Sequence, residues 1–405
     1  MPDIELSIIV APAKGPEANS SLLPALAEVA RDLVGERFEI AALEQTGVGY
    51  GHALRRALSA AQGRFVATLD GDLSHPPEVL RRLWAGRNQA DVVIASRYVA
   101  GGQARLPLVR RALSRMLNLW FRHGLSLPVH DFSSGYRLYR AEVLRAVATR
   151  SMTHAVLPEI VVRAYADGWT LKEVPFVHDA RRATPSSWLA RFALEFAAAF
   201  WSLWKLRWSI HCADYEERAF KSRIWLQRRW NRRRHDICLA LADSGRVLDA
   251  GCGSSRILVD LRHAVGLDVS AGKLRYMRRY GKPLVRASVA ALPFLDGSFD
   301  VVLCSQVIEH LLRPDSQRAL QELVRVCRDG GRVVVGTPDY GRLAWLLMEK
   351  AYRVAAPWGY ADQHITRYTF RSLSDRLSAL GLVLEDARYV LGCEMILALR
   401  KPAYS

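Results

Sequence analysis

Short apolar runs recur along the chain and alternate with stretches of helical spacing. Residues 6–10, 38–43, 65–69 and 92–95 are runs of four to six residues, the length of buried strands. Between them, residues 22–33, 53–61 and 78–84 place apolar side chains three and four apart. This alternation predicts βαβ units and a largely parallel sheet. A second series begins near Arg246: RVLDAG, HAVGLDVS, SFDVVLCSQV and GGRVVVGTP, each followed by a helical pattern. Two last runs, LVLEDARYVLG and EMILALRK, have no helix between them and suit an antiparallel pair at a sheet edge. The expected fold class is α/β, with two domains at residues 1–187 and 235–405.

The connecting segment, 188–234, has a different character. WLARFALEFAAAFWSLWKL puts Leu189, Phe192, Phe196, Phe200 and Leu203 on one face of a helix, with Arg191, Glu195, Ser202 and Lys205 opposite. A bilayer-spanning helix needs about 20 apolar residues in succession, and charges interrupt this run. Residues 205–234 carry ten Lys/Arg against three acids, interleaved with Trp208, Trp225 and Trp230. That mixture suits an anionic lipid surface; a core helix followed by a solvated linker is the alternative. The whole chain has a formal charge of +17 over 405 residues, which points to anionic partners. Its six cysteines form no CxxC pair or zinc spacing and read as reduced thiols of a cytoplasmic chain. The opening MPDIELSIIV enters a strand directly and does not read as a signal peptide.

Two stretches carry candidate chemistry. In VATLDGDLSHPPE, Asp70 and Asp72 follow a buried strand, where open α/β sheets place their ligands. Two carboxylates two residues apart suit a divalent cation on phosphates, or merely an acidic turn before a helix. In RVLDAGCGSS, Gly251 and Gly253 let backbone approach a ligand, and Asp268 stands 19 residues after Asp249, suited to ribose hydroxyls. By pattern alone this turn fits a dinucleotide site, except that Ser255 replaces the third glycine.

The order LDGDLSHPPEVL, ASRYVAGG, LPLVRRALSRMLN, DFSSGYRLYRAEVL, PEIVVRAYADGWTLKEVPF over roughly residues 4–187 resembles the family 2 glycosyltransferases, most of all the dolichol-phosphate-mannose synthases and related polyprenyl-phosphate glycosyltransferases. The resemblance implies a nucleotide-diphospho-sugar transferase (GT-A) fold, a nucleotide-sugar donor, Mg²⁺ or Mn²⁺, and a lipid-phosphate acceptor. It places the metal on Asp70 and Asp72, with Ser74 where a further ligand stands. It assigns phosphate binding to Arg97, Arg110 and Ser114, and an acceptor contact to Arg181. Such an acceptor is already anionic and needs guanidinium groups and a metal, not a general base. Three family features are missing. The opening strand ends VAPAKGPE without the usual Tyr and Asn, the second strand reads FEIAALEQTGVGYGHAL without Asp-Asp-Gly-Ser, and Thr184-Pro185-Ser186-Ser187 lacks the late Gly and Lys.

The blocks VLDAGCGSSR, VGLDVS, ALPFLDGSFDVVLCSQVIEHL and ELVRVCRDGGRVVVGTP over residues 235–401 resemble class I S-adenosylmethionine-dependent methyltransferases (type 11), a Rossmann-like fold. The resemblance places Asp249, Gly251 and Gly253 along the methionine part of the cofactor and Asp268 on its ribose. Ser288 takes the place of the usual adenine-contacting Asp. Glu309 and His310 would lie near the cofactor and the substrate mouth. His310 would assist deprotonation of a hydroxyl, or pack and orient its loop. Residues 356–368, with His364 and clustered aromatics, are expected to read the substrate.

The expectation is a bifunctional transferase, peripheral at the inner face of the cytoplasmic membrane, acting in the assembly of polyprenyl-phosphate-linked sugars, glycolipids or envelope polysaccharide. One alternative is a methyltransferase carrying a non-catalytic glycosyltransferase-like docking domain. Another, an RNA methyltransferase gripping RNA through the basic segment, has no RNA-binding motif behind it, so nucleic acid is not the expected partner.

Overall fold

The structure is a computed structural model and describes residues 3–11, 16–43, 49–71, 74–179, 189–242, 245–355 and 364–403. The chain divides into two compact units, Met1–Arg207 and Trp208–Ser405. The division falls inside the 188–234 segment that the sequence suggested as a link.

In the first unit, eight strands follow one another: β1 (Leu6–Ala11), β2 (Phe38–Ala42), β3 (Phe65–Asp70), β4 (Val92–Ser96), β5 (Gln103–Arg105), β6 (Arg137–Arg140), β7 (Leu171–Pro175) and β8 (Val177–Asp179). Six of them form one sheet in the order β2-β1-β3-β6-β4-β7, while β5 and β8 pair separately. All neighbours in the large sheet are parallel except β6, which runs antiparallel between β3 and β4. The sheet is covered on both faces. Leu22, Leu26, Val29 and Ala30 of the helix Pro16–Val34 belong to one core, and Phe121, Leu125 and Phe132 belong to the other. Central strands are therefore buried along their whole length and mostly apolar, as β1 and β4 are.

The helix Leu189–Arg207 closes the second of these cores. Phe196, Phe200 and Leu203 are buried at the expected spacing. Gly124, at the end of the helix Leu108–Gly124, gives Phe200 its room: a Cβ there would stand 2.5 Å from Phe200 Cζ. Trp120 stacks on Phe200 at 4.0 Å between centroids. Arg207 is fully buried; its Nε donates to Leu125 O at 2.9 Å and its Nη2 to Ser126 O at 3.2 Å, satisfying carbonyls just beyond the helix end. Its guanidinium also lies over the Tyr165 ring at 5.1 Å.

The second unit holds β9 (Val247–Ala250), β10 (Ala264–Asp268), β11 (Leu284–Arg286), β12 (Phe299–Ser305), β13 (Cys327–Pro338), β14 (Val383–Val390) and β15 (Glu394–Arg400). Their order is β11-β10-β9-β12-β13-β15-β14. The first five are parallel, and β15 runs antiparallel to both β13 and β14. The helix Trp225–Ala242 packs Ile237, Cys238, Leu241 and Ala242 on this sheet. Part of the basic run is thus structural. Arg234 Nε and Trp230 Nε1 both donate to the buried Glu394 carboxylate, at 2.8 and 2.9 Å. All six cysteines are free and buried.

Truncating Phe200 to Ala empties a packed aromatic site and is expected to destabilise the first unit by about 3–5 kcal/mol. Scanning calorimetry of the full chain would show one transition moving down while the transition that S-adenosylmethionine raises stays in place.

Candidate functional site

In the first unit, β3 is buried along five residues and ends on Asp70, whose side chain is 44% exposed. Gly135 backs this carboxylate closely; a Cβ there would stand 3.1 Å from Asp70 Oδ1. Asp70 Oδ2 lies 3.7 Å from Nδ1 of His75, an imidazole buried against the rings of Tyr136 and Phe176. Ser74 is buried, its Oγ 3.4 Å from the same nitrogen. Asp70 thus presents hard oxygens at the mouth of the sheet, as a divalent cation requires. Asp72 and Arg181 lie outside the described residues, as do residues 44–48 and 184–187, where family features are missing from the sequence.

Arg97 follows β4 and is held tightly. Its Nε and Nη2 donate to Asp131 at 2.8 and 2.7 Å, and Nη2 also donates to Ser133 Oγ at 2.7 Å. Burial alone would raise the Asp131 carboxyl, but the Arg97 guanidinium outweighs it and holds the acid below the usual range. Glu173 accepts from the backbone N–H groups of His130 and Asp131 at 2.9 and 3.0 Å. Tyr98 donates its phenol to Ser114 Oγ at 2.6 Å, and Asn118 bridges Ser114 O and the Phe132 N–H. Arg97, Ser114 and the 131–133 loop therefore form one polar network joining the β4 end to the helix Leu108–Gly124. Arg110 is half-buried on the same helix. The sequence marked Arg97 and Ser114 for phosphate. It did not single out Tyr98, Asn118, Asp131 or Glu173, although DFSSG begins with the decisive acid.

In the second unit, the turn after β9 uses Gly251 at φ +83° and Gly253 at φ +54°. A Cβ on Gly251 would fall 2.3 Å from Val307 Cγ2, so only glycine fits. Ser255, where a third glycine would stand, caps the helix Arg256–Asp260 by accepting from Ile257 N at 3.1 Å. Asp268 ends β10 and receives Gly253 N at 2.8 Å and Ser270 N at 2.7 Å. Asp249 is buried, and its Oδ2 has no hydrogen-bond partner among the described residues. Burial, then the nearby Asp268 charge, push its carboxyl up to about 7. A buried oxygen lacking a donor, beside a turn of backbone N–H groups, fits the ammonium end of S-adenosylmethionine. Glu216 and Lys273 pair over this turn, and Ser254 also bonds Glu216; the sequence gave no sign of that contact. Ser288 is exposed, its Oγ accepting from Ala290 N at 3.2 Å.

After β12 the chain turns through Gln306 (φ +60°) into a single tight turn, Ile308–His310. Glu309 is fully buried beneath that turn. Its carbonyl accepts from Ile365 N and Thr366 N at 2.8 and 3.1 Å, and its Oε2 accepts from Thr337 Oγ1 at 3.2 Å. Burial pushes its carboxyl up to about 8. The rings of His310 and His364 stand 5.0 Å apart, and His364 Nδ1 is 2.8 Å from the Tyr340 hydroxyl. Burial, then the neighbouring His310 and Arg367 charges, lower His364 to about 4. Of the stretch expected to read the substrate, residues 356–363 lie outside the described residues.

A family model for glycosyl transferase family 2 matches residues 19–148, and one for a methyltransferase domain matches residues 248–335. The chain thus joins a segment that matches glycosyl transferase family 2 to one that matches a methyltransferase domain. Its first unit has the GT-A-like α/β fold and its second the Rossmann-like methyltransferase fold. The fusion is similar to polyprenol monophosphomannose synthase of Mycolicibacterium smegmatis, 36% identical over 138 residues that are 33% of this chain and 50% of that protein. It is also similar to malonyl-(acyl-carrier protein) O-methyltransferase of Methylococcus capsulatus, 33% identical over 170 residues, 38% of this chain and 59% of that protein. Among solved structures, an S-adenosylmethionine-dependent methyltransferase of Thermotoga maritima aligns at 21% identity and TM-score 0.39, over 46% of this chain and 93% of that one. That likeness carries no further argument. The fusion spans about half the length of the curated relatives it matches.

Two outcomes follow for the cofactor turn. Gly251→Ala should abolish S-adenosylmethionine binding in calorimetry. Binding below pH 7 should release a proton, because the ligand's ammonium favours ionised Asp249. Affinity should therefore rise with pH and level off above about 7. Asp249→Asn should remove its share of that proton release, read as the dependence of binding heat on buffer ionisation enthalpy.

Proposed function

We propose that the first unit transfers a sugar from a nucleotide sugar to a polyprenyl phosphate, and that the second methylates a hydroxyl of a related lipid-linked product. The observation that carries this reading is the joining, in one chain, of a segment similar to a polyprenol monophosphomannose synthase with a methyltransferase domain. In the first unit, Asp70 and Asp72 would hold the divalent ion, with Ser74 behind them. The ion would supply charge stabilisation to the leaving diphosphate. Arg110 and Arg181 would hold the acceptor phosphate. Arg97 would act mainly by fixing the 131–133 loop, since three donor contacts of its guanidinium are already made. In the second unit, Asp249 and Asp268 would seat the cofactor, which supplies an electrophilic methyl group. Alignment of the acceptor then contributes much of the rate.

A lipid substrate is supported by the surface of the first unit. The helices Leu108–Gly124 and Leu189–Arg207 expose Leu108, Val109, Met116 (62%), Leu194 (73%) and Trp201 (59%). Arg111 and Arg115 are exposed among them. Single exposed apolar residues are ordinary, whereas a row of them on two packed helices beside arginines suits the headgroup boundary. Among the described residues no helix is long and apolar enough to cross a membrane. The exposed apolar side chains beside arginines support our reading of a peripheral protein at the inner face of the cytoplasmic membrane. A second reading, a first unit that docks without transferring sugar, is favoured by the closure of Arg97 on Asp131.

Two experiments test the proposal. Radiolabelled methyl from S-adenosylmethionine should enter a lipid-extractable fraction; label confined to protein or RNA would refute the substrate class. In flotation with anionic vesicles the full chain should float at low salt, and Met116→Asp with Trp201→Asp should reduce the floating fraction several-fold. An unchanged fraction would exclude this face.

A further inference from the structure

Among the described residues, one group of metal-ligating side chains stands apart from the site assigned to the sugar donor. It is Glu309, His310 and His364, whose ligand atoms all lie within 4.8 Å of one another. We propose that these three residues form a binding site for a divalent transition-metal ion of the zinc class, which takes an oxygen of the methyl acceptor as its next ligand.

The donor set is two imidazole nitrogens and one carboxylate oxygen. It is the set that borderline ions accept while keeping a coordination position open. Bonds of about 2.0–2.2 Å place tetrahedral donors roughly 3.3–3.6 Å apart. A separation of at most 4.8 Å closes to that by side-chain rotation. A second observation points to the same place. Glu309 is fully buried, and its Oε1 has no hydrogen-bond partner among the described residues. A buried carboxylate oxygen of this kind calls for a cation or a donor.

The surroundings are those of a built site. Thr337 holds the other carboxylate oxygen, and Tyr340 bonds His364 Nδ1, so that Nε2 would be the ligand atom of that ring. Outer contacts of this sort fix the tautomer and direction of ligands. Trp345 stacks on His364 at 5.9 Å. The Glu309 carbonyl grips the N–H groups of Ile365 and Thr366, tying the segment that carries His364 to the turn that carries the other two ligands. Val307, two residues before Glu309, packs on Gly251, which ties the segment carrying Glu309 and His310 to the cofactor turn.

An ion here would lower the pKa of a bound acceptor hydroxyl, releasing its proton to solvent. The oxygen then attacks the methyl carbon. The C–O bond forms as the C–S bond breaks, and that bonding pair stays on sulfur. This role rests on the proposed methylation of a hydroxyl; the site itself does not.

The test uses the full chain carrying Asp70→Asn and Asp72→Asn, so that the first unit contributes neither of the two carboxylates proposed to hold its own ion. After loading with Zn²⁺ or Co²⁺ and gel filtration, one equivalent per chain should be retained, and Co²⁺ should give a visible ligand-field spectrum. His310→Ala and His364→Ala should each remove both signals while leaving S-adenosylmethionine binding intact. Tyr340→Phe, a conservative change that spares the ligands, should weaken metal affinity about 10–100-fold. No retained metal, or retention unaffected in the His310→Ala/His364→Ala double variant, overturns the site. Metal retained in a protein that methylates no hydroxyl leaves the site standing and removes only the role.

Discussion

A parallel strand buried on both faces tolerates a charged side chain only where it runs out of the sheet. That constraint organises both units. β3 ends on Asp70 and β10 on Asp268, Asp249 stands one residue before the end of β9, and Glu309 follows just beyond β12. Parallel strands end on the same edge, so each sheet gathers its acids at one mouth. Desolvation then separates them by task. Asp70 remains half in water and suits a hydrated cation. Asp268 accepts hydrogen bonds from two backbone N–H groups. Asp249 and Glu309 are buried, each with one oxygen lacking a donor among the described residues, and both are pushed towards the protonated form. The glycines follow from the same crowding: Gly135 and Gly251 occur where a Cβ would strike an acid or the chain beyond the next strand.

The segment between the two sheets belongs to them. Phe200 against Gly124 and the buried Arg207 bind one helix to the first unit. Arg234 and Trp230, closing on Glu394, bind the helix Trp225–Ala242 to the second unit. With its inner face committed, the first of these helices still shows Leu194 and Trp201 to solvent, as the helix Leu108–Gly124 shows Leu108 and Met116. Burial of one face and exposure of another apolar one give this unit a closed core and, on the proposed reading, the surface by which it would meet lipid.

Much of this was legible in the chain. Short apolar runs marked most of the parallel strands, though not β7, where LKEVP is half polar, or β11, which is three residues long, and the absence of a helix before the last run marked the antiparallel edge. β6 escaped notice because RLYR is short and half basic, and its place between β3 and β4 depends on a return from residue 137 that no local pattern encodes. The acids at strand ends were legible because period and position identify them. The partners of Arg97 were not, since Asp131 and Glu173 meet it only after folding. Glu309 was expected at the cofactor; its burial under a turn, against Thr337 and the 365–366 backbone, depends on contacts 28 and more residues away. Ser288 marks the reverse case, a position identified by resemblance where the side chain caps a local turn.

The central claim is that the first unit still receives a sugar donor although Asp-Asp-Gly-Ser is missing from its second strand. The most direct measurement is isothermal titration of the full chain with uridine and guanosine diphosphate sugars, with and without Mn²⁺. The account requires binding that needs the metal and is lost in Asp70→Asn. Absence of any metal-dependent binding across both nucleotides would contradict it and leave the first unit as a docking module for the methyltransferase.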